Sequence, residues 1–300
     1  MSPTLKTFGK HALNDTYDFI ICGGGTTGCT LATRLALQPS RPSVLLLEAG
    51  LHNSFLEFTS MPLGWTAGFD ISHDWNLINK KSTVLNDREV KLSRAWFEHD
   101  ASSHGFQGPL KTAPMDPAPI TNKLLESFQN FGMPFKADMF STGDTAQGCG
   151  HSVRTVHEGM RSTAVDFTEL AGSNLVVLTE ATVDKIGLEN DGDGWKAVSM
   201  EVVKKDEKGV MVTSIFKASR EIVVCAGVYG SPGILLRSGI GGNEELKELH
   251  IESKVDLPGF GKNLMDHLIV FMFYELDTSL NTSLDNEDIK FFTKDHLVAT

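Results

Sequence analysis

The chain has 300 residues, enough to bury a large core as one large domain or two ordinary ones, and its 41% hydrophobic and 22% charged composition is that of a globular protein. A formal net charge of −11 argues against a nucleic-acid partner. No apolar run approaches the length of a membrane span and the first fifteen residues hold no apolar signal core, so a cytoplasmic protein with no membrane partner is expected.

Residues 1–15 read as a flexible arm. Residues 17–22, YDFIIC, form a short apolar run that stops at glycine, the pattern of a buried parallel strand. Gly23-x-Gly25-x-x-Gly28 follows at once. Leu31, Leu35 and Leu37, with Ala32 and Ala36 among them, predict a helix packed on a sheet. Residues 44–47, VLLL, predict a second buried strand, and it ends at Glu48. Each part has a physical task in a dinucleotide site. Gly23 permits the tight turn, Gly25 leaves room for a pyrophosphate, and Gly28 lets the helix lie close to the sheet. The exposed N–H groups at the helix start favour phosphates. A carboxylate at Glu48 accepts hydrogen bonds from a ribose diol and repels a 2′-phosphate, which disfavours NADP. The glycine triplet alone is weak. Strand, turn, helix, second strand and acid in register make it specific. The competing reading is a glycine-rich turn in an ordinary α/β unit.

Past Gly50, residues 55–74 read as loops and short helices. Residues 77–94 read as a hairpin bending near Leu85-Asn86-Asp87. Residues 95–109 form a polar stretch in which His99, Asp100 and His104 lack metal-ligand spacing and read as solvated. Residues 119–132 predict an amphipathic helix, with Ile120, Leu124, Leu125, Phe128 and Phe131 on a packing face, Gly132 as C-cap and Pro134 beyond it. Met160-Arg161-Ser162-Thr163 is expected to open a helix. Residues 174–178 and 182–188 read as strands. Residues 197–204 and 210–217 alternate apolar and polar around the turn Asp206-Glu207-Lys208-Gly209, giving an antiparallel meander inserted beside the parallel sheet. Residues 220–225 return to a buried strand ended by Ala226-Gly227, with helices at 231–237 and closing at 247–249, and one more strand at 269–276. The four cysteines, Cys22, Cys29, Cys149 and Cys225, read as buried reduced thiols.

Three blocks in this order resemble the glucose–methanol–choline oxidoreductase family: the opening TYDFIICGGGTTGCTLATRL with VLLLEAG, then GMRSTA followed by NLVV, and most specifically REIVVCAGVYGSPGILLRSGIG with VDLPGFGKNLMDH. The resemblance runs from about Tyr17 to His267. It implies an α/β fold: a Rossmann-like FAD-binding domain with a mainly parallel sheet and an inserted antiparallel meander, plus a partial substrate-covering part. It implies that Gly23, Gly25, Thr26, Thr27 and Gly28 hold the pyrophosphate of FAD and Glu48 its adenosine ribose. It places Val183 at the adenine and makes Ala226 and Gly227 the end of a strand approaching the cofactor. From the residues alone, Val183 reads equally well as core, and small residues at 226–227 permit close backbone approach. The implied division is a flexible arm (1–15), an FAD-binding domain in two pieces (16–98 and 143–267, with the meander at 182–217), a substrate-side cap (99–142) and the start of a substrate-binding domain (268–300).

The sequence departs from the family pattern twice. Where the family carries a Gly/Ser-rich loop against the flavin, Arg94 runs straight into Ala95-Trp96-Phe97-Glu98. The family's catalytic histidine belongs to a C-terminal portion past Thr300, and His267 matches the earlier NLxDH block. No motif makes His99, His104, His151 or His157 a substitute base, so the catalytic residue stays unassigned and no metal is expected. The expectation is an FAD-binding oxidoreductase acting on the CH–OH group of a small alcohol, weak or inactive in this shortened form and self-associating through uncovered apolar surface. Two alternatives stand beside it. One is a non-redox lyase, cyclase or dehydratase acting on a small hydrophobic metabolite, with His99, Asp100, His104 and His157 as candidate acids by composition only. The other is an inactive remnant.

Overall fold

The structure is a computed structural model that describes residues 13–51, 119–136, 160–206 and 208–266, with shorter stretches at 4–6, 77–78, 80–81, 87, 89, 91–92, 108–111, 113–114, 147–151 and 153–157. Strand β1 (Thr4–Lys6) comes first. Strand β2 (Thr16–Cys22), helix α1 (Thr26–Ala36) and strand β3 (Val44–Leu47) form the opening strand–helix–strand unit. Two hairpins follow in which β4 (Leu77–Ile78) pairs with β5 (Lys91–Leu92), and β6 (Ala113–Pro114) with β7 (Val153–Arg154). Asp87, with φ +54°, marks a turn inside the first of these, where a bend was expected. Helix α2 (Pro119–Asn130) lies between β6 and β7 in sequence. A third hairpin, β8 (Val156–His157) with β9 (Met160–Arg161), leads to the one-turn helix α3 (Val165–Thr168). Strands β10 (Leu175–Leu178), β11 (Thr182–Asn190), β12 (Trp195–Lys205) and β13 (Met211–Val224) come next. Helix α4 (Gly227–Arg237), strand β14 (Ile240–Gly241), helix α5 (Asn243–Glu248) and strand β15 (Val255–Asp256) complete the described elements.

Seven strands form the main sheet, in the order β1-β10-β3-β2-β13-β12-β11. β1, β10, β3, β2 and β13 run parallel, while β12 is antiparallel to both β13 and β11. The three apolar runs read from the sequence as parallel strands are therefore neighbours: β3 and β13 flank β2. Side chains alternate between two cores. Leu45, Leu47, Ile20 and Leu178 face one, with Met200, Val202, Phe216 and Ile234. Val44, Leu46, Ile21 and Leu175 face the other, with Cys29, Ala32, Ala36 and Ala164. Both faces of the parallel strands are covered, so nearly every residue of β3 and β10 is apolar and buried.

Polar clamps tie helix ends to the sheet. Asn174 donates through Nδ2 to the carbonyls of Ala36 and Pro42, at 2.9 and 2.8 Å, closing the end of α1 onto the start of β10. Ser238 Oγ accepts from Ile186 N–H and donates to Ile234 O, both at 2.7 Å, tying the end of α4 to β11.

Several expectations are corrected. Thr4–Lys6, expected in a flexible arm, adds an edge strand beside β10, because β10 offers an open line of backbone groups. In α1 the residues against the sheet are the small ones, Gly28, Cys29, Ala32, Thr33 and Ala36; Leu31 and Leu35 lie at the margin and Leu37 is 48% exposed. Small side chains let the helix axis approach the strands, and leucines would hold it off. Met160–Arg161 is a hairpin strand rather than a helix start. The helix opens at Val165, where Asp166 accepts the N–H of Thr163 at 3.0 Å and the hydroxyl of Ser162 at 2.7 Å. The last meander strand and the buried strand after it are one 14-residue strand, β13. It pairs with β12 along its first half and with β2 along its second, and the register shifts between Ala218 and Glu221 where it changes partner. α4 starts at Gly227, four residues before the expected start; Pro232 inside it cannot donate to the Val228 carbonyl, and Val228 is exposed to water.

The chain divides into two compact units: residues 1–100, 107–111 and 155–264 form one, and 101–106, 112–154 and 265–300 the other. α2 belongs to the second. Its stripe was expected to pack, yet Leu124, Phe128 and Phe131 are exposed, Phe131 by 85%. The expected strand at 269–276 and the loops at 55–74 lie outside the described residues.

Candidate functional site

A cavity of about 620 Å³ opens where β2, β3, β10 and β13 end, all within the first unit. That is where open parallel sheets hold ligands, and the volume sits inside the usual range of roughly 300–1,000 Å³.

The turn from β2 into α1 forms its floor. Gly23 has φ +100°, and a Cβ on it would run into the carbonyl of Cys225 on the neighbouring strand. A Cβ on Gly28 would overlap the carbonyl oxygen of Gly23. A Cβ on Gly25 would meet no protein atom within 4 Å, because Gly25 borders the cavity. The helix begins there: Cys29 N–H donates to Gly25 O at 2.9 Å, no side chain caps the terminus, and its first turn holds no acidic residue. The start of α1 thus borders the cavity with no side-chain cap and no acid in its first turn.

Glu48, at the end of β3, lines the cavity with its carboxylate held in place. Oε2 accepts from Gly24 N–H at 2.6 Å and Oε1 from Gly50 N–H at 2.7 Å. Burial pushes its carboxyl above the usual range, and the N–H groups of Gly50, Gly24 and Ala49 oppose that rise. Each oxygen keeps a lone pair for a further donor such as a diol.

The segment from β10 into β11 makes a side wall. Ala181 N–H donates to Glu48 O and Glu180 N–H to Gly50 O, both at 2.9 Å. The buried ammonium of Lys204 donates to Thr179 O at 3.2 Å. Val183 borders the cavity and also belongs to the core. Ala226 and Gly227 border it at the start of α4, where Gly227 has φ +76° and open space beside it. Arg237, on the same helix, donates through Nε to Asp184 O and Oδ1, at 2.9 and 2.8 Å.

Of the residues singled out from the sequence, Gly23, Gly25, Thr26 and Thr27 line the cavity, as do Glu48, Val183, Ala226 and Gly227. Gly28 does not; it lies beneath the turn, against Gly23. His99, Asp100 and His104 lie outside the described residues, and the backbone of His157 is in β8. No group of three or more His, Cys, Asp or Glu among the described residues is placed to hold a metal ion. Burial pushes the Cys22 thiol up to about 12 and raises that of Cys225, so neither cavity-lining thiol is a nucleophile at neutral pH.

The cavity also takes in residues that carried no site assignment from the sequence, Arg161 and Thr163 among them. Arg161 lies on β9 and Thr163 before α3, and Thr163 Oγ1 is buried without a hydrogen-bond partner. Their block, GMRSTA, is visible in the sequence, but nothing local connects it to the glycine turn. A dinucleotide fits this site: open space at Gly25, a helix start at α1 with no side-chain cap, and a fixed carboxylate at Glu48.

Comparison with known proteins agrees with this geometry. The sequence model of the family described as GMC oxidoreductase matches residues 17–269. Oxygen-dependent choline dehydrogenase of Burkholderia multivorans is 29% identical, the match covering 86% of this chain and 54% of that protein. Pyranose dehydrogenase 2 of Leucoagaricus meleagris is 28% identical, covering 90% of this chain and 54% of that one. The chain thus spans about half the length of these curated relatives. Among solved structures, a formate oxidase superposes with a TM-score of 0.75 at 22% identity, covering 86% of this chain and 53% of that one. Pyridoxine 4-oxidase from Mesorbium loti superposes with a TM-score of 0.66 at 24% identity, covering 80% and 55%. At these identities the two structures speak for the fold.

Proposed function

The chain belongs to the GMC oxidoreductase family, and from that premise we propose that it is the FAD-binding part of an oxidoreductase acting on the CH–OH group of a small alcohol. The observation that carries the reading is the Gly23–Gly28 turn, which delivers the start of α1, without a side-chain cap, to a cavity bordered by Glu48, with space at Gly25 that no protein atom fills. Related proteins support the cofactor and substrate class: one solved relative is an FAD-dependent oxidoreductase, and others act, by their names, on choline, a pyranose or pyridoxine. All of these are redox enzymes, which favours oxidation over the lyase or cyclase reading.

Bound FAD supplies the hydride-accepting redox chemistry. The work left to this chain is binding and orientation. In this reading the N–H groups following Gly25, with Thr26 and Thr27, hold the pyrophosphate. Glu48 accepts the adenosine ribose hydroxyls, and Val183 and Ala181 give an apolar wall to the adenine. Ala226 and Gly227 let the cofactor approach the end of β13. The first compact unit is the FAD-binding domain and the second is the start of the substrate side. The exposed α2 stripe supports self-association or coverage by a further apolar surface. No helix among the described residues is long and apolar enough to cross a membrane. Buried Cys22, Cys29 and Cys149 fit a reducing, cytoplasmic setting.

The test is the visible spectrum of the purified chain with flavin added in excess, followed by anaerobic addition of primary and aryl alcohols and choline. Retained flavin is the expected result, with bleaching by an alcohol weak or absent in this part of the enzyme alone. A folded chain that retains no flavin overturns the reading.

A further inference from the structure

Resting on the FAD reading above, we propose that Arg237 is a cofactor-binding residue for the adenosine end of FAD, held in place by Asp184, with its Nη groups meeting the adenine.

Arg237 is the last residue of α4 and lines the cavity. Its Nε donates to Asp184 O at 2.9 Å and to Asp184 Oδ1 at 2.8 Å, so one residue of β11 grips it by backbone and carboxylate together. One turn earlier on α4, Gly233 also lines the cavity, and a Cβ there would stand 3.2 Å from Arg237 Nη1. A side chain at 233 would press on the guanidinium; glycine leaves it room to lie along the helix. Among the described residues the two Nη groups donate to no protein acceptor. The guanidinium is thus a planar donor fixed at its inner edge and unspent at its outer one. Little of its freedom remains to be lost when a ligand arrives. Stability does not account for the arrangement, because a partly exposed ion pair of this kind contributes little to it.

The location points to the base rather than to the phosphates. α1 and α4 pack on opposite faces of the sheet: Cys29, Ala32 and Ala36 of α1 belong to one core, and Ile234 of α4 to the other. Phosphates belong at the start of α1. Arg237 stands on the α4 side, tied to the residue that follows Val183, and Val183 with Ala181 is the apolar wall assigned above to the adenine. The charges agree. Asp184 already balances the guanidinium, so the pair offers a phosphate no net charge. It offers a purine a flat cation for its face and N–H donors for its ring nitrogens.

The experiment titrates the full chain, freed of flavin, with FAD, ADP and adenosine, the last followed by ligand-observed NMR. Wild type is compared with Arg237→Lys, with the double variant Asp184→Asn and Arg237→Met, and with Gly25→Val. The double variant removes the pair without changing the net charge. Arg237→Lys keeps the charge and removes the plane and the fork. Far-UV circular dichroism and the melting temperature check that each is folded; if the double variant is not, Arg237→Lys alone carries the test. Both Arg237 variants are expected to weaken all three ligands by a similar factor, about three- to tenfold. Gly25→Val is expected to lose FAD and ADP and to keep adenosine. Loss of FAD and ADP in the Arg237 variants with adenosine unchanged overturns the inference, because it places the guanidinium at the phosphates. Wild-type affinity for all three ligands in Arg237→Lys, while Gly25→Val loses FAD, also overturns it and leaves the FAD reading standing. A wild-type chain that binds neither FAD nor ADP overturns both.

Discussion

The carbonyl oxygen of Gly23 occupies the place that a Cβ on Gly28 would need. The two glycines are thus one packing unit, while Gly25 between them is unconstrained by the protein: its backbone is extended and its side-chain direction opens on the cavity. Gly28→Ala is expected to displace α1 from the sheet, costing on the order of 1–3 kcal/mol or more as overpacking does, with a lower melting temperature and lost flavin together. Gly25→Val is expected to keep the melting temperature of the flavin-free chain and lose flavin alone. A destabilised, flavin-free Gly25→Val would mean that the turn is tighter than its geometry states.

The glycine turn was legible in the sequence because its determinants are local. β2, Gly23, Gly25, Gly28, β3 and Glu48 follow one another within a single strand–helix–strand unit, and each residue type answers a nearby backbone demand. Elements that depend on distant partners were read less well. The continuity of β13 was hidden because its two halves answer different neighbours, β12 with one alternating face and β2 with both faces covered. The start of α4 was hidden by Pro232, whose cost is small where the orphaned carbonyl is exposed. In α1, close approach to the sheet selects Ala32 and Ala36, while Leu31 and Leu35 pack at the margin.

Asp18 joins three neighbouring strands at the end of the sheet away from the cavity. Its Oδ2 accepts from Ser43 N–H and Oγ–H at 2.8 and 2.9 Å, and its Oδ1 faces Ser219 Oγ and Arg220 Nε, both at 3.2 Å. The Ser43 N–H chiefly holds its carboxyl below the usual range, with the Ser43 and Ser219 hydroxyls and Arg220 adding to that against a smaller effect of burial. A depressed folded-state pKa stabilises the fold above the unfolded value, near 3.9, and that contribution is lost as pH falls through the folded value. Wild type is expected to lose stability on acidification more steeply than Asp18→Ala. At pH 7 the variant is expected to be less stable by about 1–2 kcal/mol, the low end for charged hydrogen bonds because the site is partly exposed. Urea melts between pH 3 and 7 read both effects; parallel pH profiles for the two proteins would refute the assignment.

The α2 stripe predicts a surface rather than a core. Leu124 and Phe128 are one turn apart and exposed. Leu124→Glu with Phe128→Lys places an acid four residues before a base, a favourable helical pair of about 0.2–0.5 kcal/mol. The double variant is expected to melt within roughly 0.5 kcal/mol of wild type and to scatter less light at high protein concentration. A large loss of stability would show that the stripe is packed in solution.

Glu48 makes the stability of the empty chain and the affinity for its cofactor respond to pH in opposite directions. Burial raises the folded-state pKa of its carboxyl, and the N–H groups of Gly50, Gly24 and Ala49 offset only part of that rise. A raised carboxyl pKa gives stability that is complete below the unfolded value and is lost as pH climbs through the folded one, so this residue lowers the stability of the flavin-free chain toward neutral pH. A ribose diol donates its hydrogen bonds to the ionised form. Cofactor affinity is therefore expected to rise across that same interval, by up to one charge-assisted bond, about 1.5–3 kcal/mol. Glu48→Gln keeps the size of the side chain and removes the titration, but sets an amide NH₂ against one of the two backbone donors now served by Oε1 and Oε2. It is expected to bind FAD more weakly at neutral pH, with an affinity that no longer changes between pH 4 and 8. Calorimetric titrations of FAD across that range, beside melts of the flavin-free chain, separate the two effects. An affinity of wild type that stays flat over the same range would remove Glu48 from the ribose.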